Sequence, residues 1–253
     1  MKKILLHICF LGSAYCGYQV QPSAPTVQQK LNDATRSLFG YECDIVGCSR
    51  TDSGVHANMF CATVTKKHSD ELVTSIQAEK IPQALSFYLP KDISVTHAEW
   101  VDSDFHPRYD VKYKEYLYRI WNGRERNPFE FDRSWHYPKK IDDAALDNMR
   151  KAAERLVGTH DFSAYMAANS TVKSTVRTIY TTEISRDGDM ISFKISGDGF
   201  LYNMVRIIVG TLISVAEGKT KPEDIDIITQ SRDRSNAGVT APPQGLYLNK
   251  VVY

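Results

Sequence analysis

In the segment Ser49-Arg50-Thr51-Asp52-Ser53-Gly54-Val55-His56-Ala57 a carboxylate and a guanidinium stand two residues apart, between two apolar, strand-like runs. Asp52 there has two readings. As a turn former, its side chain closes on its own backbone beside Ser53 and Gly54. As a chemical group, it is a catalytic carboxylate held at the tip of a tight turn. The turn by itself leaves both open, and a second charge, Arg206, bears on the choice.

Residues 199–216 read Gly-Phe-Leu-Tyr-Asn-Met-Val-Arg-Ile-Ile-Val-Gly-Thr-Leu-Ile-Ser-Val-Ala, with Arg206 as their one charge. The length raises a membrane span, but a central Arg206 and Asn203 argue against it, and no second span follows. A helix apolar on nearly every face is a buried helix. Removing one partner of a buried ion pair costs about 3–5 kcal/mol, so a buried Arg206 calls for a carboxylate partner. The alternative places Arg206 at the helix N-terminal rim, with its head reaching water.

A third constellation interleaves Arg108, Lys112, Lys114, Arg119, Arg124 and Arg126 with Tyr109, Tyr113, Tyr116, Tyr118 and Trp121. Cations neutralise phosphates, and flat rings stack on unpaired bases. The same pattern also describes an ordinary half-buried strand with aromatic residues inward, and Asp110, Glu115 and Glu125 dilute the charge. His56, His106, His136 and His160 have no metal-ligand spacing. Neither a phosphate loop, nor a dinucleotide fingerprint, nor a Gly-x-Ser-x-Gly elbow is present. What remains is a site of Asp, Arg and Tyr without metal or cofactor.

The elements that must position these residues follow from periodicity and punctuation. Residues 4–10 read as a strand and residues 12–25 as a loop. Thr26-Val27-Gln28-Gln29 is a capping box, followed by an apolar stripe of Val27, Leu31, Ala34 and Leu38 and a stop at Gly40. Strands over 41–48 and 59–65 flank the Asp52 turn; a helix over 71–89 and a strand over 93–100 complete a β-α-β-β-α-β order. A comparable order recurs with a strand over 114–121, a helix over 142–157, strands over 176–185 and 190–196, helices over 202–216 and 222–230, and a strand over 245–252. The economical fold is α+β in two layers: two similar halves, each an antiparallel β-sheet with helices on one face. The division falls between residues 1–104 and 105–253.

The chain has 253 residues, enough to bury a sizeable core. Its hydrophobic fraction of 42% and charged fraction of 24% exclude a disordered or fibrous chain. Net charge is only +1, so a nucleic-acid partner is held by a local basic patch and not by a global field. The five cysteines, Cys9, Cys16, Cys43, Cys48 and Cys61, are odd in number and contain no Cys-x-x-Cys. The apolar start is broken by His7 and lacks a small-residue cleavage site, so it reads as a strand and not a leader. Cytoplasmic residence is the expectation.

Nearly end to end, the chain resembles the TruA family of tRNA pseudouridine synthases. The family's Gly-Arg-Thr-Asp-x-Gly-Val-His-Ala corresponds to residues 49–57, which puts its catalytic aspartate at Asp52. Its Phe-His-x-Arg and later Tyr-x-Tyr correspond to Phe105-His106-Pro107-Arg108 and Tyr116-Leu117-Tyr118. Further matches are His160-Asp161-Phe162, Met204-Val205-Arg206 with Val209-Gly210, and Ala241-Pro242-Pro243-Gln244-Gly245-Leu246. Departures are Ser49 for the usual Gly, Tyr18 for a common Trp, and Phe10-Leu11-Gly12 for Tyr-Asp-Gly. They bear on substrate fit more than on the reaction.

The resemblance implies isomerisation of uridine to pseudouridine at tRNA positions 38, 39 and 40, in the anticodon stem-loop, by a homodimer that needs no cofactor. An RNA-binding cleft lies between the halves. The base is flipped out of its stack at a cost of a few kcal/mol. Breaking its glycosidic bond leaves an electron-poor sugar carbon that Asp52 attacks or stabilises. By the same resemblance Arg206 pairs with Asp52, keeping it ionised and aimed. Arg50 fills the vacated stack or holds the flipped backbone, and Tyr116 packs on the uracil and is available for proton transfer.

Two other readings use the same residues. A non-catalytic RNA-binding protein of this fold gives no reason for Arg206 in an apolar helix, or for a carboxylate facing phosphates. A dimeric aspartic peptidase shares Asp-Ser-Gly, but its two carboxylates share a proton, which an adjacent Arg50 opposes.

Overall fold

Ile4, Leu5, Leu6, Ile8 and Phe10 bury themselves along β1 (Lys2–Phe10), which makes it an inner strand. The computed structural model describes residues 2–168 and 172–253. These fall into two compact units, Met1–Lys112 with Leu248–Tyr253, and Tyr113–Tyr247.

In the first unit α1 (Val27–Phe39) starts where Thr26 accepts a hydrogen bond from Gln29 N, and ends at Gly40 in the left-handed region. Only half of the capping box forms, because the Gln29 amide turns to Asp33 at 2.9 Å. β2 (Cys43–Gly47) pairs antiparallel with β3 (His56–Lys66), and β3 pairs antiparallel with β1. Val64 thus has Ile4 on one side and Ile45 on the other.

The helix expected over 71–89 survives only as a 3-10 turn, Ala78–Lys80, and α2 (Ile81–Ser86). Ser69 and Thr74 hydroxyls capture the backbone N–H groups of Glu71 and Ile76, a local alternative to helix. Leu72 N donates to Lys2 O. β4 (Ile93–Asp102) closes the other side of β1. α1 and α2 touch each other, which places them on the same side of this sheet.

In the second unit β5 (Tyr113–Trp121) gains a short parallel neighbour, β6 (Trp135–His136), that no periodicity announces. α3 (Asp143–Glu154) begins at Asp142, whose carboxylate accepts from Ala145 N at 2.8 Å. β7 (Gly158–Asp161), β8 (Val176–Asp187) and β9 (Met190–Gly197) follow, and the order β5-β9-β8-β7 is antiparallel throughout. α4 (Met204–Ala216) packs on α3, and α5 (Asp224–Ser231) is short. β10 (Leu246–Val252) carries the chain back to the first unit. Antiparallel sheets with packed helices give the α+β class read from the sequence. The boundary expected at 104/105 lies inside the first unit, whose chain runs on to Lys112 because Lys112 N donates to Val252 O at 2.8 Å.

Candidate active site

Asp52 sits in the connection from β2 to β3, where Val55 N donates to Asp52 O at 3.1 Å and closes the turn. The loop of residues 11–25 wraps it. Tyr15 O accepts from Gly54 N at 3.2 Å and from the Ser53 hydroxyl at 3.3 Å, and Tyr18 N donates to Thr51 O at 3.2 Å. Gly12 N donates to His56 Nδ1 at 2.8 Å, so this fully buried histidine is a structural strut. A Cβ on Gly12 would stand 2.0 Å from Val55 O; only glycine permits this approach.

Tyr15 then anchors the loop to the start of β4 by donating to Asp92 Oδ1 at 2.7 Å, and burial with that carboxylate raises its hydroxyl pKa. Tyr18 is buried with its ring stacked on Phe60 at 4.2 Å, and burial raises its pKa too. The result is a rigid mount presenting a half-buried Asp52 and an exposed Arg50.

Arg206 lies in the first turn of α4, because the helix starts at Met204 and not at 202. Asn203 precedes it with φ 59°. Ten of the thirteen residues of α4 are buried, as its apolar sequence requires. Arg206 itself is half-buried, which corrects the expectation of full burial. Its Nε donates to Ala241 O at 2.7 Å and its Nη1 to Asn203 Oδ1 at 2.8 Å. Ala241 N returns a bond to Arg206 O at 3.1 Å. Gly210 makes this possible: a Cβ there would lie 1.8 Å from Val239 O, so the 237–241 strap rests directly on α4.

Tyr116 and Tyr118 share one face of β5, two residues apart. Tyr118 is fully buried, and its hydroxyl donates to Pro242 O at 2.7 Å, next to the carbonyl that holds Arg206. Burial raises the Tyr118 hydroxyl pKa, and the charge of Arg206 opposes the shift. Tyr116, 8% exposed, meets Phe200 edge to face at 4.9 Å. The inward tyrosines therefore make β5 a half-buried strand. Arg119 is taken by Glu130 at 3.1 Å.

Asp52 and Arg50 belong to the first unit, and Tyr116 and Arg206 to the second. Sequence reasoning missed Asn203 and the Ala241 carbonyl as the bed of Arg206, and the loop that holds Asp52. The remaining histidines singled out earlier hold backbone: His136 with Gly123 O, His160 with Val157 O, and His106 with Arg108 N.

The family profile described as tRNA pseudouridine synthase matches residues 8–110 and 152–253. The tRNA pseudouridine synthase A of Thermoanaerobacter sp. (strain X514) is 44% identical over all of both chains. The proteins of that name from Clostridium acetobutylicum and Caldicellulosiruptor bescii are 41% and 39% identical, again over all of both chains. A chain of the solved Cbf5-Nop10-Gar1 complex superposes over 97% of this chain and 48% of its own length. Its 11% identity and TM-score of 0.36 carry no argument. With the profile spanning both the Asp52 and Arg206 segments and identity maintained from end to end, this chain belongs to the tRNA pseudouridine synthase family, a family of isomerases.

Proposed function

We propose that this chain converts uridine to pseudouridine at positions 38, 39 and 40 of the tRNA anticodon stem-loop, with Asp52 as nucleophile. The observation that carries the reading is Asp52 itself, half-exposed on a turn clamped by Tyr15, Tyr18 and Gly12, in a chain 44% identical to a tRNA pseudouridine synthase A. The reaction breaks the base's C–N glycosidic bond and forms a C–C bond. One proton leaves the ring carbon and one is taken up at the ring nitrogen, so composition is unchanged and no external reagent is consumed.

Asp52 supplies the electron pair, or the negative charge, that the sugar carbon needs when the base departs. Arg206 is its proposed partner, a cation that favours the ionised carboxylate. Its Asn203 and Ala241 contacts fix two edges of the guanidinium and so set its direction. Tyr116 packs on the flipped uracil and is available for proton transfer. Arg50, exposed beside the turn, occupies the vacated stack or holds the flipped backbone. The enzyme works as a cytoplasmic homodimer.

Asp52→Asn tests the assignment. The turn is closed by the backbone oxygen of residue 52, so the isosteric amide leaves the mount intact. Full-length tRNA is expected to bind within a few-fold of the wild type, while pseudouridine, read by chemical mapping, disappears. Undiminished product would remove Asp52 from the reaction.

A further inference from the structure

The turn that follows β4 is built far more firmly than a connector needs. His106 N donates to Asp110 Oδ2 at 2.7 Å, Tyr109 N and Asp110 N both donate to His106 O at 3.1 Å, and Arg108 N donates to His106 Nδ1 at 3.2 Å. From below, Tyr253 donates its hydroxyl to Pro107 O at 2.9 Å and sets its ring against Phe105 at 4.9 Å. Lys3 Nζ holds Phe105 O at 3.1 Å.

What this scaffold holds out to solvent is a ring. Tyr109 is 75% exposed and lies over His106, with centroids 4.2 Å apart and planes 30° apart. One face of the tyrosine is thereby backed by a second aromatic ring, and the other is open. Arg108, its neighbour in the chain, is exposed, Lys112 Nζ donates to Tyr253 O at 2.8 Å, and the Asp110 carboxylate is committed to His106 N. What sets this ring apart from other exposed aromatics is its aromatic backing on a turn closed by several hydrogen bonds. A flat ring beside an exposed guanidinium matches an unpaired nucleobase and its phosphate.

We infer that Tyr109, backed by His106 and flanked by Arg108, is a stacking platform for an unpaired base of the substrate RNA, separate from the flipped uridine. The assignment rests on the reading of this chain as a tRNA-modifying enzyme. A base captured here fixes the register of the loop before any uridine is turned.

The experiment measures binding of the full chain to an anticodon stem-loop RNA and to a blunt RNA duplex of equal length, by fluorescence anisotropy at fixed salt. Tyr109→Ala is expected to weaken stem-loop binding by about tenfold, as the loss of one base stack does. It leaves duplex binding unchanged, and Tyr109→Phe retains the wild-type affinity. Arg108→Gln should lower the salt dependence by roughly one phosphate contact. Equal stem-loop affinity for Tyr109→Ala and wild type, or an equal loss on the duplex, overturns the inference. Pseudouridine formation by the wild type on full-length tRNA is scored in parallel. Wild-type inactivity would sink the enzymatic reading alone, whereas an active wild type with an indifferent Tyr109→Ala would sink the platform alone.

Discussion

A cation in the first turn of a helix faces the positive end of the helix dipole, an arrangement that works against stability by about 0.3–1 kcal/mol. Arg206 occupies that position in α4, so helix formation gives no reason for it to be there. Its bonds to Ala241 O and Asn203 Oδ1 hold it in place, and the proposed pairing with Asp52 gives its charge a chemical role. Arg206→Met should lower single-turnover pseudouridine formation by roughly 100-fold or more, the scale of losing a charge-stabilising group. The melting temperature should fall only slightly, since Met fills the stem's volume. A near-wild-type rate would break the pairing. Asp52 could be singled out in the sequence by its turn between two apolar runs and Arg206 as the one charge of residues 199–216, while their proposed roles come from the family resemblance. The groups that aim Arg206 could not be. One is the backbone carbonyl of Ala241, and a carbonyl carries no residue signature.

At the scale of elements, legibility followed chemistry that acts over three or four residues. Thr26 and Gly40 delimit α1, and Asp142 starts α3, as their types require. The segment before α2 escaped because Ser69 and Thr74 diverted backbone donors that a helix would use. The anchoring of α4 escaped too. Just past that helix, Glu217 accepts from the Tyr137 hydroxyl at 2.7 Å and lies 2.6 and 3.3 Å from Lys219 and Lys139. Lys219, then Tyr137 and Lys139, lower its carboxyl pKa from the ordinary 4.5 to about 2. A carboxyl lowered on folding stabilises the native state above its unfolded pKa, and that gain is lost as pH falls from 4.5 toward 2. Glu217→Gln should therefore melt about 2–5 °C below wild type at pH 7, with the gap narrowing toward pH 2.5. Thermal scans at both pH values check it, and a constant gap would contradict the ion-pair account.

For the whole molecule, alternation and helical periodicity sufficed for the α+β class but not for β6 and β7, which lie outside every expected element. Nor did these patterns reach the pairing of distant strands. Asn58 and Asn249, whose side chains bond at 2.7 Å, are 191 residues apart, and nothing local in either announces the other. The homodimer carried over from the family resemblance is a whole-molecule expectation as well. Light scattering should return twice the mass of one chain at micromolar concentration, and a monomer mass would refute it.

The return of Leu248–Tyr253 to the first unit has a bearing on how the protein is made. On the ribosome, the segment bearing Asp52 emerges early, yet β10, the neighbour of β3, is added only after the whole of Tyr113–Tyr247 has been synthesised. Through that interval the part of β3 not paired with β2 carries an unsatisfied edge, a template for pairing with a neighbouring nascent chain. A message interrupted anywhere after Tyr113 would yield a product with every atom of the Asp52 turn and no finished sheet to hold it. Quality control by proteolysis would then determine the fate of such a fragment.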